Sequence, residues 1–172
     1  MSAGFRRVLI IIVVLLVEGS QPVVGCRVQS SMASESPDPS SSVVDEPLFP
    51  LQAHLGFTIQ LGEGTAKASL ELAERHLNPN DVAHGAVAFT LMDTAMGAAV
   101  MSVVAEGDMC ATIEIHTRFH RAAAGGTLSA EATVLTAGRR VIHLEARTVD
   151  DDGRLVASAT GSFAVIPGSV SS

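Results

Sequence analysis

Tryptophan and tyrosine are absent from this chain, and phenylalanine occurs only six times. The aromatic platforms on which single-stranded nucleic acids stack are therefore missing. Basic residues are also scarce: 11 Lys and Arg stand against 18 Asp and Glu, for a formal net charge of -7, with no Lys/Arg run. Phosphate repulsion at that charge argues against nucleic acid as a partner. The only cysteines are Cys26 and Cys110, too few for a disulfide framework or a thiolate zinc site. Cys110 reads as a small buried hydrophobe, with a thiol nucleophile as the alternative.

What is present fits one domain with tails, in 172 residues. Residues 1–31 read as a leader. Phe5-Arg6-Arg7 precede the apolar run Val8 to Val17, which has the length of a signal-peptide core and is short for a membrane span. Val23-Val24-Gly25-Cys26 is similar to a bacterial lipoprotein cleavage box. The competing reading is a spurious start, with Met32 as the true first residue; a membrane partner or an exported, lipid-anchored form is expected only if residues 1–26 are a working signal. Residues 32–47 are rich in Ser, Pro and Asp without periodicity, the composition of a disordered linker. Residues 48–168 are expected to form the domain and 169–172 a tail.

Within the domain, Leu48 to Leu55 suits a short helix. Phe57–Leu61 and Thr65–Leu72 suit a strand pair turning at Gly62-Glu63-Gly64. After a loop at Asn78-Pro79-Asn80-Asp81, in which Asp81 is a candidate cap or first-turn acid, one long helix should run from His84 to the break at Glu106-Gly107-Asp108. Its residues are apolar on every side, so it is expected to be buried. Small residues such as Gly85, Ala88, Ala95 and Gly97 would let a sheet approach it closely. Strands follow at Met109–Arg121, Thr127–Leu135, Val141–Val149 and Leu155–Val165. In the first of these, alternation places Ala111, Ile113, Ile115 and Phe119 inward and Thr112, Glu114, His116 and Arg118 outward. Short hairpins, Asp151-Asp152-Gly153 among them, imply antiparallel pairing. The expected fold class is α+β: one long central helix wrapped by a curved antiparallel sheet of about five or six strands.

Between Ala83 and Ala105 only His84 and Asp93 can ionise. The first N–H groups of a helix lack partners inside it, so those of Gly85 and Ala86 can receive a developing oxyanion. His84 and Asn78 offer further donors beside them. Asp93, a carboxylate in apolar surroundings, is a candidate general base or nucleophile; the structural alternative is a carboxylate bonded to Thr90, Thr94 or backbone. Gly85 and Asp93 are eight positions apart on one helix, about 12 Å at ~1.5 Å per residue. That is too far for both to act on one carbonyl, so a shared site needs two chains, as in a two-fold dimer with antiparallel helices. His116, Arg118, His120 and Arg121 allow a metal or phosphate reading, but no third ligand has the spacing, and a solvated strand face accounts for them. Arg139 and Arg140, at a hairpin turn, could meet phosphates.

The pattern Asn78-x5-His84-Gly85-x7-Asp93-Thr94-Ala95 resembles the hotdog-fold acyl-CoA thioesterases of the phenylacetate-pathway (PaaI) type. Thr112-Ile113-Glu114-Ile115, Gly138-Arg139-Arg140 and Asp152-Gly153-Arg154-Leu155-Val156-Ala157 extend the resemblance across roughly residues 48–166. It implies a hotdog fold, a homodimer or tetramer with sites at the subunit interface, and hydrolysis of an acyl-CoA thioester in the cytoplasm with neither metal nor cofactor. It further implies that Asp93 is the catalytic carboxylate, Gly85 the oxyanion donor, His84 and Asn78 positioning groups, and Thr112 an assistant to the attacking water. Arg139 and Arg140 would then face the CoA phosphates. Two departures stand out: relatives read His-Gly-Gly where this chain has Ala86, and strand parity turns Thr112 away from its own helix. The alternative is a non-catalytic hotdog domain that binds acyl-CoA or a related thioester. A hotdog dehydratase is a second alternative, but the helix of this chain has no His/Asp arrangement placed for that chemistry.

Overall fold

The structure is a computed structural model that describes residues 42–44, by their backbone, and residues 47–168. The expected leader, most of the expected linker and the tail 169–172 lie outside the described residues. A short strand β1 (Ser42–Val44) leads to helix α1 (Pro50–Leu55), and β2 (Thr58–Gly62) and β3 (Thr65–Glu71) form a hairpin. The long helix α2 (Gly85–Met101) follows, then β4 (Met109–Phe119), β5 (Thr127–Ala137), β6 (Val141–Val149) and β7 (Leu155–Ile166). All neighbours pair antiparallel, in the order β1-β2-β3-β5-β6-β7-β4. Six strands fall where alternation and turn residues place them. The seventh, β1, comes from the segment whose composition suits a linker; it pairs Val43 with Gln60 at the sheet's edge.

Alternation explains why the sheet has one dry face. On β5, Leu128, Ala130 and Ala132 are buried while Glu131 and Thr133 are exposed; on β6, Ile142, Leu144 and Ala146 are buried while His143, Glu145 and Arg147 are exposed. The dry face is largely alanine: Ala66, Ala68, Ala130, Ala132, Ala146, Ala157 and Ala159 all lie within 4% exposure. Such short side chains bring the sheet close to α2, whose Leu91, Met92, Ala95, Met96 and Ala99 are wholly buried against it. Gly161 is needed for the same reason, since a Cβ there would stand 2.8 Å from Met96 Sδ.

The ends of α2 are tied down separately. Ser102 Oγ donates to Ala99 O (2.7 Å) and accepts the Gly64 N–H (2.8 Å), holding the helix C-terminus to the β2–β3 turn. At the other end His84, not Asp81, is the cap: its Nδ1 accepts the Ala86 N–H at 3.0 Å. Asp81 instead takes φ +57° in a turn closed by Asp81 N–H to Asn78 O (3.0 Å), a backbone state that Asp tolerates better than most residues. No helix among the described residues is long and apolar enough to cross a membrane.

Candidate active site

Two features of α2 meet the surface: its first turn and its middle. At the first turn His84 follows a loop pinned by an isolated bridge between Leu77 and Ala83, by Asn78 N–H to Val82 O (2.8 Å) and by His84 N–H to His76 O (2.8 Å). Because His84 Nδ1 accepts a backbone N–H, its Nε2 carries the hydrogen and offers a donor to solvent. The same bond uses up the Ala86 N–H. Of the two donors expected here, only Gly85 N–H has no recorded partner among the described residues. Asn78 lies half-buried in the preceding loop, where its Oδ1 accepts the Asn80 N–H (2.8 Å), leaving its amide NH2 as donor.

Gly85 is glycine because of close approach, not an unusual φ. A Cβ there would lie 3.1 Å from the Phe119 ring, which closes over the helix start. An open cleft of about 450 Å³ lies at this point, between Val82, His84, Gly85 and Ala88 on the helix side and Phe119, Arg121, Leu128 and Val156 on the sheet side. Phe119 is 58% exposed. Sequence parity marked it as an inward strand residue but gave no sign that it would reach the helix mouth.

At the middle of α2, Asp93 is half-buried and accepts a hydrogen bond from Thr112 Oγ1 at 2.9 Å. Burial holds the Asp93 carboxyl above the ordinary aspartate range, and the Thr112 bond pulls it part of the way back. Here strand parity fails. The β4–β7 register shifts between Thr112 and Glu114, so Ile113 is an extra, bulged residue. Before the bulge Cys110 and Thr112 face α2; after it Ile115 and Thr117 do, while Ile113 turns out to 57% exposure. The expectation that Thr112 points away from its helix, with Ile113 inward, is thereby corrected. Cys110 is buried with its S–H toward Gly97 O (3.8 Å), and burial with the nearby Asp93 charge pushes its thiol up to about 11. A thiol so hard to ionise is a core residue, not a nucleophile.

The expected result of Thr112→Val follows from this geometry. Removing the hydroxyl removes the one interaction that lowers the Asp93 pKa. If Asp93 is the working carboxylate, the acidic limb of a pH–rate profile should therefore move to higher pH. A profile unchanged in Thr112→Val would show that Asp93 does not set that limb.

Other candidates lie elsewhere. Arg139 and Arg140 occupy the exposed β5–β6 turn and do not line the cleft. His116 pairs with Glu114 (3.2 Å) and His120 with Ser158 Oγ (2.8 Å), each exposed and each with a different partner. Along α2, Gly85 and Asp93 keep their eight-position separation within one unbroken helix, so the ~12 Å span stands.

Residues 80–157 match the model of the thioesterase superfamily. A relative in Archaeoglobus fulgidus, named "Putative esterase", is 30% identical over 105 residues, which are 60% of this chain and 66% of the relative. The chain thus spans just under two thirds of that relative. Among solved structures, a conserved protein of Pseudomonas aeruginosa is 35% identical with TM-score 0.65, over 67% of this chain and 93% of its own. The PaaI protein of the phenylacetic acid degradation operon of Escherichia coli is 27% identical with TM-score 0.62, over 69% and 85%. Matched from the loop before its central helix to the start of β7, and folded as these relatives fold, the chain is similar to the thioesterase superfamily and has the hotdog fold.

Proposed function

We propose that this protein is a hydrolase that cleaves acyl-CoA thioesters to the free acid and CoA. One observation carries the reading: Asp93, a desolvated carboxylate on an otherwise apolar helix, has a single recorded side-chain partner, the Thr112 hydroxyl. A carboxyl held above its ordinary range is a better proton acceptor than a free one. Asp93 takes a proton from water as the water oxygen bonds to the thioester carbon, or attacks that carbon itself. Thr112 Oγ1, already donating to Asp93, has lone pairs left to hold the water. The carbonyl oxygen gathers charge against Gly85 N–H, with His84 Nε2–H and the Asn78 amide beside it. On the first route the C–S bond then breaks and the thiolate leaves with the proton that Asp93 took; on the second the thiolate leaves protonated by solvent, and water then hydrolyses the acyl–Asp93 anhydride to the free acid.

In this reading the Gly85 that serves Asp93 belongs to a second copy. Among the described residues β4 ends the sheet and is paired on one side only, by β7. Eleven residues long, it carries exposed Ile113 and Phe119, the kind of edge that pairs with another chain. Beside it, Ala86, Phe89, Thr90, Asp93 and Gly97 form a stripe on α2 that the protein's own sheet does not fully cover. A two-fold dimer joined along β4, with the two α2 helices antiparallel, brings Asp93 of each copy toward Gly85 of the other. Two such dimers can form a tetramer. CoA esters are a cytosolic currency, so the cytoplasm is the proposed location.

The test is thiol release from acyl-CoAs of differing chain length and from an aromatic acyl-CoA, using residues 32–172. Turnover with at least one of them is expected. No turnover on any substrate, with tight acyl-CoA binding, would replace the hydrolase with a binding domain.

A further inference from the structure

We propose that His76 is a positioning residue, whose buried ring sets the direction of the Gly85 N–H. This inference rests on the reading of Gly85 as the oxyanion donor. His76 is 1% exposed and lies eight positions before His84, outside the motif that marks the site. Nδ1 accepts the Ala73 N–H at 2.9 Å, which makes Nδ1 the bare nitrogen. Nε2 therefore carries the hydrogen and donates it to Leu55 O, also at 2.9 Å. Both ring nitrogens are satisfied in a single tautomer and a single orientation. The ring thus joins the end of α1 to the turn after β3.

The residue's own carbonyl then does the positioning. His76 O accepts the His84 N–H at 2.8 Å. The bridge between Leu77 and Ala83 closes the loop above that bond, and Ala83 N–H reaches Ala123 O at 2.7 Å on the cleft's far wall. The peptide that carries Gly85 N–H begins at His84, one bond from this anchor. Without the two ring bonds the turn that carries the His76 carbonyl would lose its tie to Ala73 and Leu55, and a shift of that turn would move the oxyanion donor with it. An error of about 1 Å in such a donor can cost on the order of 100-fold in rate.

The experiment compares His76→Leu, which keeps neither ring bond, with His76→Asn, whose Oδ1 can accept the Ala73 N–H, and His76→Gln, whose Nε2 can donate to Leu55 O. Steady-state rates on the best thioester are measured well below each variant's melting temperature, with hydrogen exchange at the His84 amide alongside. His76→Leu should lose roughly 10- to 100-fold in kcat while KM changes by less than about threefold. Its His84 amide should exchange faster, and Asn and Gln should each recover part of kcat. Wild-type kcat in His76→Leu, with His84 still protected, would overturn the proposal. So would losses that merely follow melting temperature, with no recovery in Asn or Gln. If His76→Leu does not fold, wild-type kcat in both other variants overturns it. If the wild type hydrolyses no thioester, the hydrolase reading fails instead, and His84 exchange across the three variants decides whether the ring anchors the loop.

Discussion

Asp93→Asn should lose at least about 1,000-fold in thioester turnover, within the range by which a positioned acid–base group accelerates a reaction, and should at the same time melt at a higher temperature near neutral pH. The two halves have one cause. The Asp93 carboxyl is held above its ordinary value of 3.8 by burial, so the native state favours the protonated form more than the unfolded chain does. A raised carboxyl contributes stability that is fully present below the unfolded value and lost as pH rises through the folded one. Above that folded value the contribution is gone, and the charge sits in a poorly solvated place, a cost that the proposed chemistry accounts for. Asparagine has nearly the same shape, keeps an oxygen for the Thr112 hydroxyl and carries no charge. Its stability gain should shrink on acidification and vanish below the unfolded value. Turnover and thermal melting at neutral and acidic pH check both halves. Wild-type turnover in Asp93→Asn would end the assignment.

The second large effect is recovery of activity from two inactive proteins. Gly85→Pro removes the N–H while keeping a helix, because proline is welcome at a first helical position and His84 has φ -63° and ψ 135°, the extended state proline prefers before it. The proline ring would have to move the Phe119 side chain, which is exposed at the end of β4 and has room to turn. Asp93→Asn and Gly85→Pro should each be inactive alone. Refolded together in equal amounts, half of the dimers contain one of each, and in those one site has an intact Asp93 facing an intact Gly85. About one quarter of wild-type sites should therefore return if each site draws on both copies. If both residues worked within one copy, the mixture would stay inactive. Ile113→Lys, which places charge on the bulged edge of β4, should prevent recovery by preventing pairing, with size-exclusion chromatography reporting a smaller species.

The helix, the hairpins and the two ionisable positions at the start and middle of the helix, His84 and Asp93, were legible because each leaves a mark in composition. Strands with one dry face alternate, and an apolar helix carrying one carboxylate stands out. The bulge at Ile113 leaves no such mark. One extra residue reverses the facing of its neighbours, so the same Thr112-Ile113-Glu114 that reads as regular alternation puts Thr112 on Asp93 and Ile113 in solvent. The His84 cap was hidden for another reason: Asp81 is the usual type of capping residue, but its positive φ commits it to a turn three residues earlier. His76 was hidden because a buried histidine with both nitrogens bonded looks, in sequence, like any other histidine. The short strand β1 pairs Val43 with Gln60 at the sheet's edge, and backbone pairing is not written in side-chain type.

The alanine floor beneath α2 has a bearing on how this protein can change. Methyl groups bring helix and strands close together, so beneath the middle of α2 the interior is filled by short side chains and by Leu91, Met92 and Met96. Under the proposed dimer, a fatty or aromatic group would lie in the cleft at the helix start and along the uncovered stripe of α2, where Phe119, Phe89 and Ala86 stand. Diet and architecture would thereby be uncoupled: exchanges at those surface positions would lengthen or shorten what is accepted while the packed interior stays as it is.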